Sequence, residues 1–389
     1  MASVWLHSAL WLGLALLASL ISIRIAVSVA LVEIVVGAVA GNLVVLQITD
    51  WVNFLAGFGA ILLTFLAGTE IDPRIVRKHF WSSMTIGVMG FVAPYLGVLA
   101  YARWAVGWGW PQAQIAGIAL STTSVAVVYA VMIETGFNRT EIGKIILAAC
   151  FINDLGTVLA LGIVFAHYDL RLLLFGAVTA AVLIILARYA PWMFKHLGAR
   201  VSEPQTKFVT LILLGLGGLA SIAGSEAVLP AYLVGMALAP TFLSEPELPH
   251  RMRIIAFSIL TPFYFLKAGS LVEAHAVAAA FGLIAVFLGI KMATKFVGIL
   301  PLTIYHEFDS REGMYTTLLM STGLTFGSIS ALFGLTNKII DQSQYTILVT
   351  AVIGSAVVPT LIAQKWFQPR FKAISSDVEE AEAVAGEEP

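Results

Sequence analysis

Asp154 sits in the stretch CFINDLGTVLALG, residues 150–162, where Asn153 and Thr157 are its only polar companions. A carboxylate in so apolar a run can hold a proton or a small cation, each excluding the other. Two hydroxyl clusters interrupt other apolar runs: Ser121-Thr122-Thr123-Ser124, and Ser321-Thr322-Gly323-Leu324-Thr325 followed by Gly327-Ser328. Lysines 267, 291 and 295 also fall inside apolar runs. Charges at such depth cost at least about 2.5 kcal/mol each in an isolated helix, so each implies a partner, an aqueous cavity or a task. Ser and Thr can bond back to their own helix. Where a helix unwinds instead, hydroxyls and freed carbonyls can replace part of a cation's hydration shell, and half-helix ends add fixed partial charge.

The elements that position these groups belong in a bilayer. Of the 389 residues, 59% are hydrophobic and 12% charged, and the mean hydropathy is +0.92, far from the balance of a soluble domain. The formal net charge of -1 argues against nucleic acid as a partner. The single cysteine, Cys150, excludes an internal disulfide and a cysteine-built metal site. No cofactor is expected. The first apolar run has no basic flank before it and no small-residue cleavage site after it, so it reads as a retained helix rather than a signal peptide.

Runs of about twenty apolar residues, enough to cross roughly 30 Å of hydrocarbon, predict about thirteen transmembrane helices in an all-α membrane protein. They fall at 4–23, 26–47, 53–71, 80–106, 112–134, 140–166, 170–190, 206–224, 226–243, 254–271, 274–303, 313–335 and 343–364. This count puts sixteen of the 22 Lys and Arg residues on one side, the bias of a cytoplasmic face. The expected topology has the N-terminus outside and the C-terminus in the cytoplasm, in the cell's inner (plasma) membrane. Residues 1–367 form the membrane domain, and 368–389 a short, acidic, disordered cytoplasmic tail.

The hydroxyl clusters lie in the fifth and twelfth spans, seven apart, so their helices run in opposite directions. Opposed, interrupted helices in corresponding positions predict an inverted repeat with two crossing, broken helices. Its units are spans four to six (about 80–166) and eleven to thirteen (about 274–364). The first contributes Asp154, the second Lys291 and Lys295. A carboxylate flanked by two helix breaks predicts a site for something small and positive.

The segment ALSTTSVAVVYAVMIETGFNRTEIGKIILAACFINDLGTVLALG, residues 119–162, resembles the second monovalent cation/proton antiporter family, which includes bacterial sodium/proton exchangers and Kef-type potassium efflux systems. The resemblance extends to VEIVVGAVAGN (32–42), LLTFLAGTEIDP (62–73), LPAYLVGMALAP (229–240), TPFYFLKAG (261–269) and KFVG (295–298). It implies a sodium/proton antiporter-like fold and exchange of a monovalent cation, sodium favoured over potassium or lithium, for protons by alternating access. It also implies that Asp154 binds cation and proton, with Thr122, Thr123 and Ser124 lining the break beside it. Lys295, which heads K-x-x-G, is implied to pair with an acid when no ion is bound. A homodimer is implied, with the glycine-bearing second span in its scaffold. Electrogenic members carry two adjacent aspartates where this chain has Asn153-Asp154. An amide can coordinate an ion but takes up no proton, so the expectation is electroneutral one-for-one exchange.

Glu33 is a candidate second acid on the ion path, or a packing residue of the second span. Lys267 has Glu70, Glu226 and Glu33 as candidate partners, or none. Glu70 and Asp72 beside Arg74 read as an interfacial cluster. The seven histidines, His167 among them, fall at helix ends or in loops. An enzyme acting on lipid phosphates would need acids clustered at a membrane face to hold a divalent ion, and no such cluster is read there, so no enzymatic activity is expected. The rival reading is a sodium-coupled symporter of a small organic acid with a similar repeat, which would need more polar residues at mid-membrane.

Overall fold

The computed structural model describes residues 2–25, 28–43, 46–69, 78–125, 127–128, 131–132, 137, 140–165, 170–197, 202–223, 227–244 and 247–369. Glu70, Asp72, Arg74, Glu226, His167 and the acidic stretch from residue 370 lie outside them, so the expectations placed there go no further.

Among the described residues every regular element is helical. In chain order the α-helices are α1 (Ala2–Ile25), α2 (Val29–Leu43), α3 (Asp50–Thr69), α4 (Phe80–Ala100), α5 (Trp110–Ser121), α6 (Glu141–Val164), α7 (Leu170–Leu197), α8 (Pro204–Ile222), α9 (Val228–Ser244), α10 (Glu247–Ile255), α11 (Thr261–Ser270), α12 (Ala274–Ala279), α13 (Phe281–Tyr305), α14 (Ser310–Met320), α15 (Thr325–Thr336) and α16 (Gln342–Ile362), with π-helical turns at Tyr101–Ala105, Ala256–Leu260 and Ala363–Phe367. Ten helical stretches are long and apolar enough to cross a membrane, while Val29–Leu43 and Val228–Phe242 are shorter apolar helices. The expected fifth span divides, because α5 stops at Ser121 and Thr122 is extended. The expected eleventh divides near its start, at Ala280 between α12 and α13. The described residues do not establish the count of thirteen.

Caps fix the starts of three helices whose later turns carry the site. Thr140 accepts from the Gly143 amide through its hydroxyl at 3.1 Å and starts α6. Reciprocal boxes start α14 through Asp309 and Glu312 and α16 through Asp341 and Gln344. Each occupies amides that the helix itself leaves without partners.

Two packed groups result. In one, α4 lies against α5, α6 and α13, α5 lies on α15, and α13 packs on α16. Its core includes Ile118, Leu120, Ile146, Phe287, Leu319 and Val352. The other pairs α2 with α11 and α3 with α9, alongside a second core containing Phe65, Phe194, Leu213 and Phe242. Those two pairs are built backbone on backbone. A Cβ at Gly37 would strike the Leu266 carbonyl, one at Gly269 the Ile34 carbonyl, and one at Gly235 the Phe65 carbonyl. The glycine face of α2 is thus spent within the chain, against α11, as small residues permit in membrane helices.

Candidate functional site

The site begins where α5 ends. Ser121 and Thr122 turn their hydroxyls back onto the carbonyls of Ile118 and Ala119, at 2.9 and 3.1 Å. These bonds satisfy two of the last carbonyls of the helix, and the chain leaves it. Across the bundle α14 ends the same way, with Ser321 and Thr322 donating to the carbonyls of Thr317 and Leu319 at 2.7 and 2.8 Å. Gly323 and Leu324 then lead into α15, which half-buried Thr325 opens.

The breaks hold each other. Thr123 Oγ1 donates to the Met320 carbonyl at 2.8 Å, and the Ser124 amide donates to Thr322 Oγ1 at 3.4 Å. The beginning of α15 lies on the end of α5, since a Cβ at Gly327 would come 2.8 Å from the Ala119 carbonyl. Ser121 to Ser124, Ser321 and Thr322 are all fully buried, so these bonds form where water does not compete.

Two lysines of α13 reach the crossing. Lys295 Nζ donates to Thr123 Oγ1 at 2.9 Å. Lys291 Nζ donates to Ser355 Oγ at 2.9 Å, and Ser355 Oγ lies 3.3 Å from the Gly323 carbonyl. A Cβ at Gly323 would collide with Lys291 Nζ and stand 3.1 Å from the Thr122 carbonyl. Both lysines are 0% exposed. Each lies where a half-helix presents its carbonyl end, the pole that attracts cations.

Asn153 of α6 braces the first break with both polar atoms. Its Oδ1 accepts from the Thr123 amide at 2.9 Å, and its Nδ2 donates to the Ser121 carbonyl at 3.3 Å. Asp154 follows about 100° further round the helix. It is 1% exposed, and its Oδ1 has no hydrogen-bond partner among the described residues. Its charge and that of Lys295 act on each other, but the lysine rests on Thr123. Among the described residues no ion pair joins Lys295 to an acid. A buried carboxylate oxygen left open is the unmatched acceptor here, and such atoms carry a cost unless something fills them.

Asp154, Asn153, Thr122 to Ser124, Lys295 and the Ser321 to Thr325 break therefore converge on one crossing. Glu33, 2% exposed on α2, and Lys267 on α11 belong to the other helix group. The described ion pairs lie at helix ends, as with Lys78 on Glu141 at 2.9 Å and Arg251 on Glu203 at 2.8 Å, and none involves Glu33 or Lys267. Lys291 also reaches the crossing, although the resemblance gave it no role. Its spacing of four from Lys295 puts both on one helix face, which was the available signal. Ser355, in an ordinary apolar span, gave none.

A bundle of apolar helices in which two broken members meet beside a buried carboxylate and two buried lysines has the build of a secondary transporter. Comparison with known proteins agrees. The family described as "Sodium/hydrogen exchanger, transmembrane" matches residues 12–368, and the chain belongs to it. Similar proteins include the probable Na(+)/H(+) antiporter 3 of Methanocaldococcus jannaschii, 25% identical over 86% of this chain and 88% of that one. The Na(+)/H(+)-K(+) antiporter GerN of Bacillus cereus is 23% identical over 92% and 95%. The solved structure of the sodium proton antiporter MjNhaP1 from M. jannaschii shares the fold, with a TM-score of 0.71 over 93% of this chain and 98% of that one, at 14% identity. The organic-acid symporter reading finds no support among these relatives.

Proposed function

We propose that this protein exchanges a monovalent cation, sodium favoured, for protons across a membrane by alternating access, with Asp154 as the shared site. The observation that carries the reading is the open Oδ1 of a carboxylate buried beside two mutually bonded helix breaks. A proton on Asp154 removes the charge that would hold a metal cation, and a bound cation occupies the oxygen that would take the proton. The two therefore travel alternately. Relatives named for Na(+)/H(+) and Na(+)/H(+)-K(+) antiport support both the exchange and the cation class. Because Asp154 is closed from solvent here, loading from either side requires the crossing to move relative to its neighbours.

Asn153 contributes no titratable group, and the hydrogen bonds of Lys291 and Lys295 hold their ammonium groups in place. One carboxylate then carries one proton per cation, and the exchange is electroneutral. The same reading takes residues 80–166 and 274–364 as the two units of an inverted repeat, the membrane as the plasma membrane, and the N-terminus as external. It takes the protein as a homodimer whose protomers transport independently. Because α11 already covers the glycine face of α2, the contact between protomers falls elsewhere on the lipid-facing helices. A lone monomer in mass measurement under mild detergent would count against the dimer.

The deciding experiment is dye-reported proton movement in vesicles on addition of Na+, K+ or Li+, comparing the wild type with Asp154→Asn and Asp154→Ala. Exchange is lost in both variants. Its persistence in both would remove Asp154 from the site.

A further inference from the structure

The charge that the crossing leaves unexplained is Lys267. It lines a cleft of about 580 Å³ enclosed by α3, the start of α9, α11 and α15, within the usual range of ligand pockets. The walls are mostly aliphatic, with Ala56, Ala60 and Ile61 on one side and Leu332 on the other. Asn53 and Gly57 also line it and are exposed, marking its mouth. The Lys267 ammonium makes no ion pair or hydrogen bond among the described residues, and the residue is half-buried.

A second, independent feature lies one turn earlier on the same face of α11. Tyr264 also lines the cleft, is 3% exposed, and its Oη has no hydrogen-bond partner among the described residues. Tyr345, the neighbouring phenol, is already committed to the Ala268 carbonyl at 2.6 Å. An unspent ammonium and an unspent phenol donor thus stand three residues apart at an aliphatic cleft. Donors of this kind are satisfied by an anion, and the aliphatic walls by hydrocarbon. Water alone would suit the first and not the second.

We propose that this cleft binds an anionic phospholipid, its phosphate on Lys267 and the Tyr264 hydroxyl and part of an acyl chain along Ala56, Ala60 and Leu332. A lipid seated there touches α3 and α11 from one helix group and α15, the helix that follows the second break, from the other. On the exchange reading above, it would restrain the movement that alternating access requires. The binding itself does not depend on that reading and is tested separately.

The test is native mass spectrometry of the purified full-length protein titrated with phosphatidylglycerol or phosphatidylcholine, with thermal unfolding in the same detergent to show that each variant is folded. Wild type retains phosphatidylglycerol in preference to phosphatidylcholine. Lys267→Gln weakens that retention at least about fivefold, the scale of one lysine at an anionic headgroup, while Lys267→Arg keeps it. Tyr264→Phe weakens it less. Leu332→Trp, which fills the acyl part and leaves the charge in place, also reduces retention. Equal retention of the two lipids by wild type, or unchanged retention in both Lys267→Gln and Leu332→Trp, would overturn the proposal. Displacement of the lipid by inorganic phosphate at equal concentration would identify the site as one for a free anion and overturn the lipid assignment. Measuring exchange on the same preparations separates the two readings, because lost lipid preference with intact exchange refutes only this one.

Discussion

Thr123→Val removes the hydroxyl on which the Lys295 ammonium rests. Valine matches threonine in shape but lacks the hydroxyl. That hydroxyl accepts from Lys295 Nζ at 2.9 Å and donates to the Met320 carbonyl at 2.8 Å. A bond to a charged group contributes roughly 1.5–3 kcal/mol and a neutral one about 0.5–1.5, so the substitution removes roughly 2–4.5 kcal/mol of favourable contact at a fully buried position. Once released, the ammonium has the Asp154 carboxylate as its natural counter-charge, and it then competes with the incoming cation. With about 1.4 kcal/mol to each factor of ten, the charged bond alone raises the half-saturating Na+ concentration at least about tenfold. Dye-reported proton movement against Na+ concentration in vesicles measures this, and thermal unfolding in detergent reports the stability lost in parallel. Thr123→Ser keeps both bonds and should stay near wild type in both assays. Wild-type half-saturation in the valine variant, or equal impairment in the serine variant, would refute the reasoning.

Gly323→Ala forces a methyl group against Lys291 Nζ and the Thr122 carbonyl, and overpacking of this kind costs about 1–3 kcal/mol, read as a lower unfolding temperature with slowed exchange. Tyr345→Phe removes the donor to the Ala268 carbonyl at 2.6 Å and should cost about 1–3 kcal/mol in thermal unfolding, with the cation dependence of exchange unchanged. Wild-type protein on a solid-supported membrane should give no sustained transport current during a sodium jump, although exchange is active by dye. A saturable current that Lys295→Gln abolishes while exchange persists would make the lysine a second proton carrier.

The chain announces its breaks openly because their chemistry is local. Ser121 to Ser124 and Ser321 to Thr325 offer hydroxyls that compete with helix carbonyls over three or four residues, and a reader of the sequence sees such clusters directly. Span positions are legible for a similar reason, since an apolar run must be long enough to cross hydrocarbon. What the sequence does not display is which faces meet. The glycines of α2 read equally well as a surface for a second protomer, and only the register against α11 shows them meeting the Leu266 and Ser270 carbonyls. The same holds for Lys291, whose partner Ser355 is sixty-four residues away, and for the bend at Ala280, which lies in an alanine-rich stretch without a breaker.

The double grip of Asn153 on the first break reaches beyond local bracing. Its two side-chain atoms play opposite parts: Oδ1 receives the Thr123 amide, and Nδ2 supplies the Ser121 carbonyl. An aspartate there could play both parts only while it kept its proton. On ionising it would abandon Ser121 and set a second negative charge beside Asp154, so the bend in the backbone would respond to the same proton that transport moves. With an amide at 153 this brace carries no titratable group, and neither of its two bonds depends on a proton being gained or lost there. On the exchange reading proposed above, the residue that limits the cycle to one proton also keeps its own hold on the crossing unchanged as that proton moves.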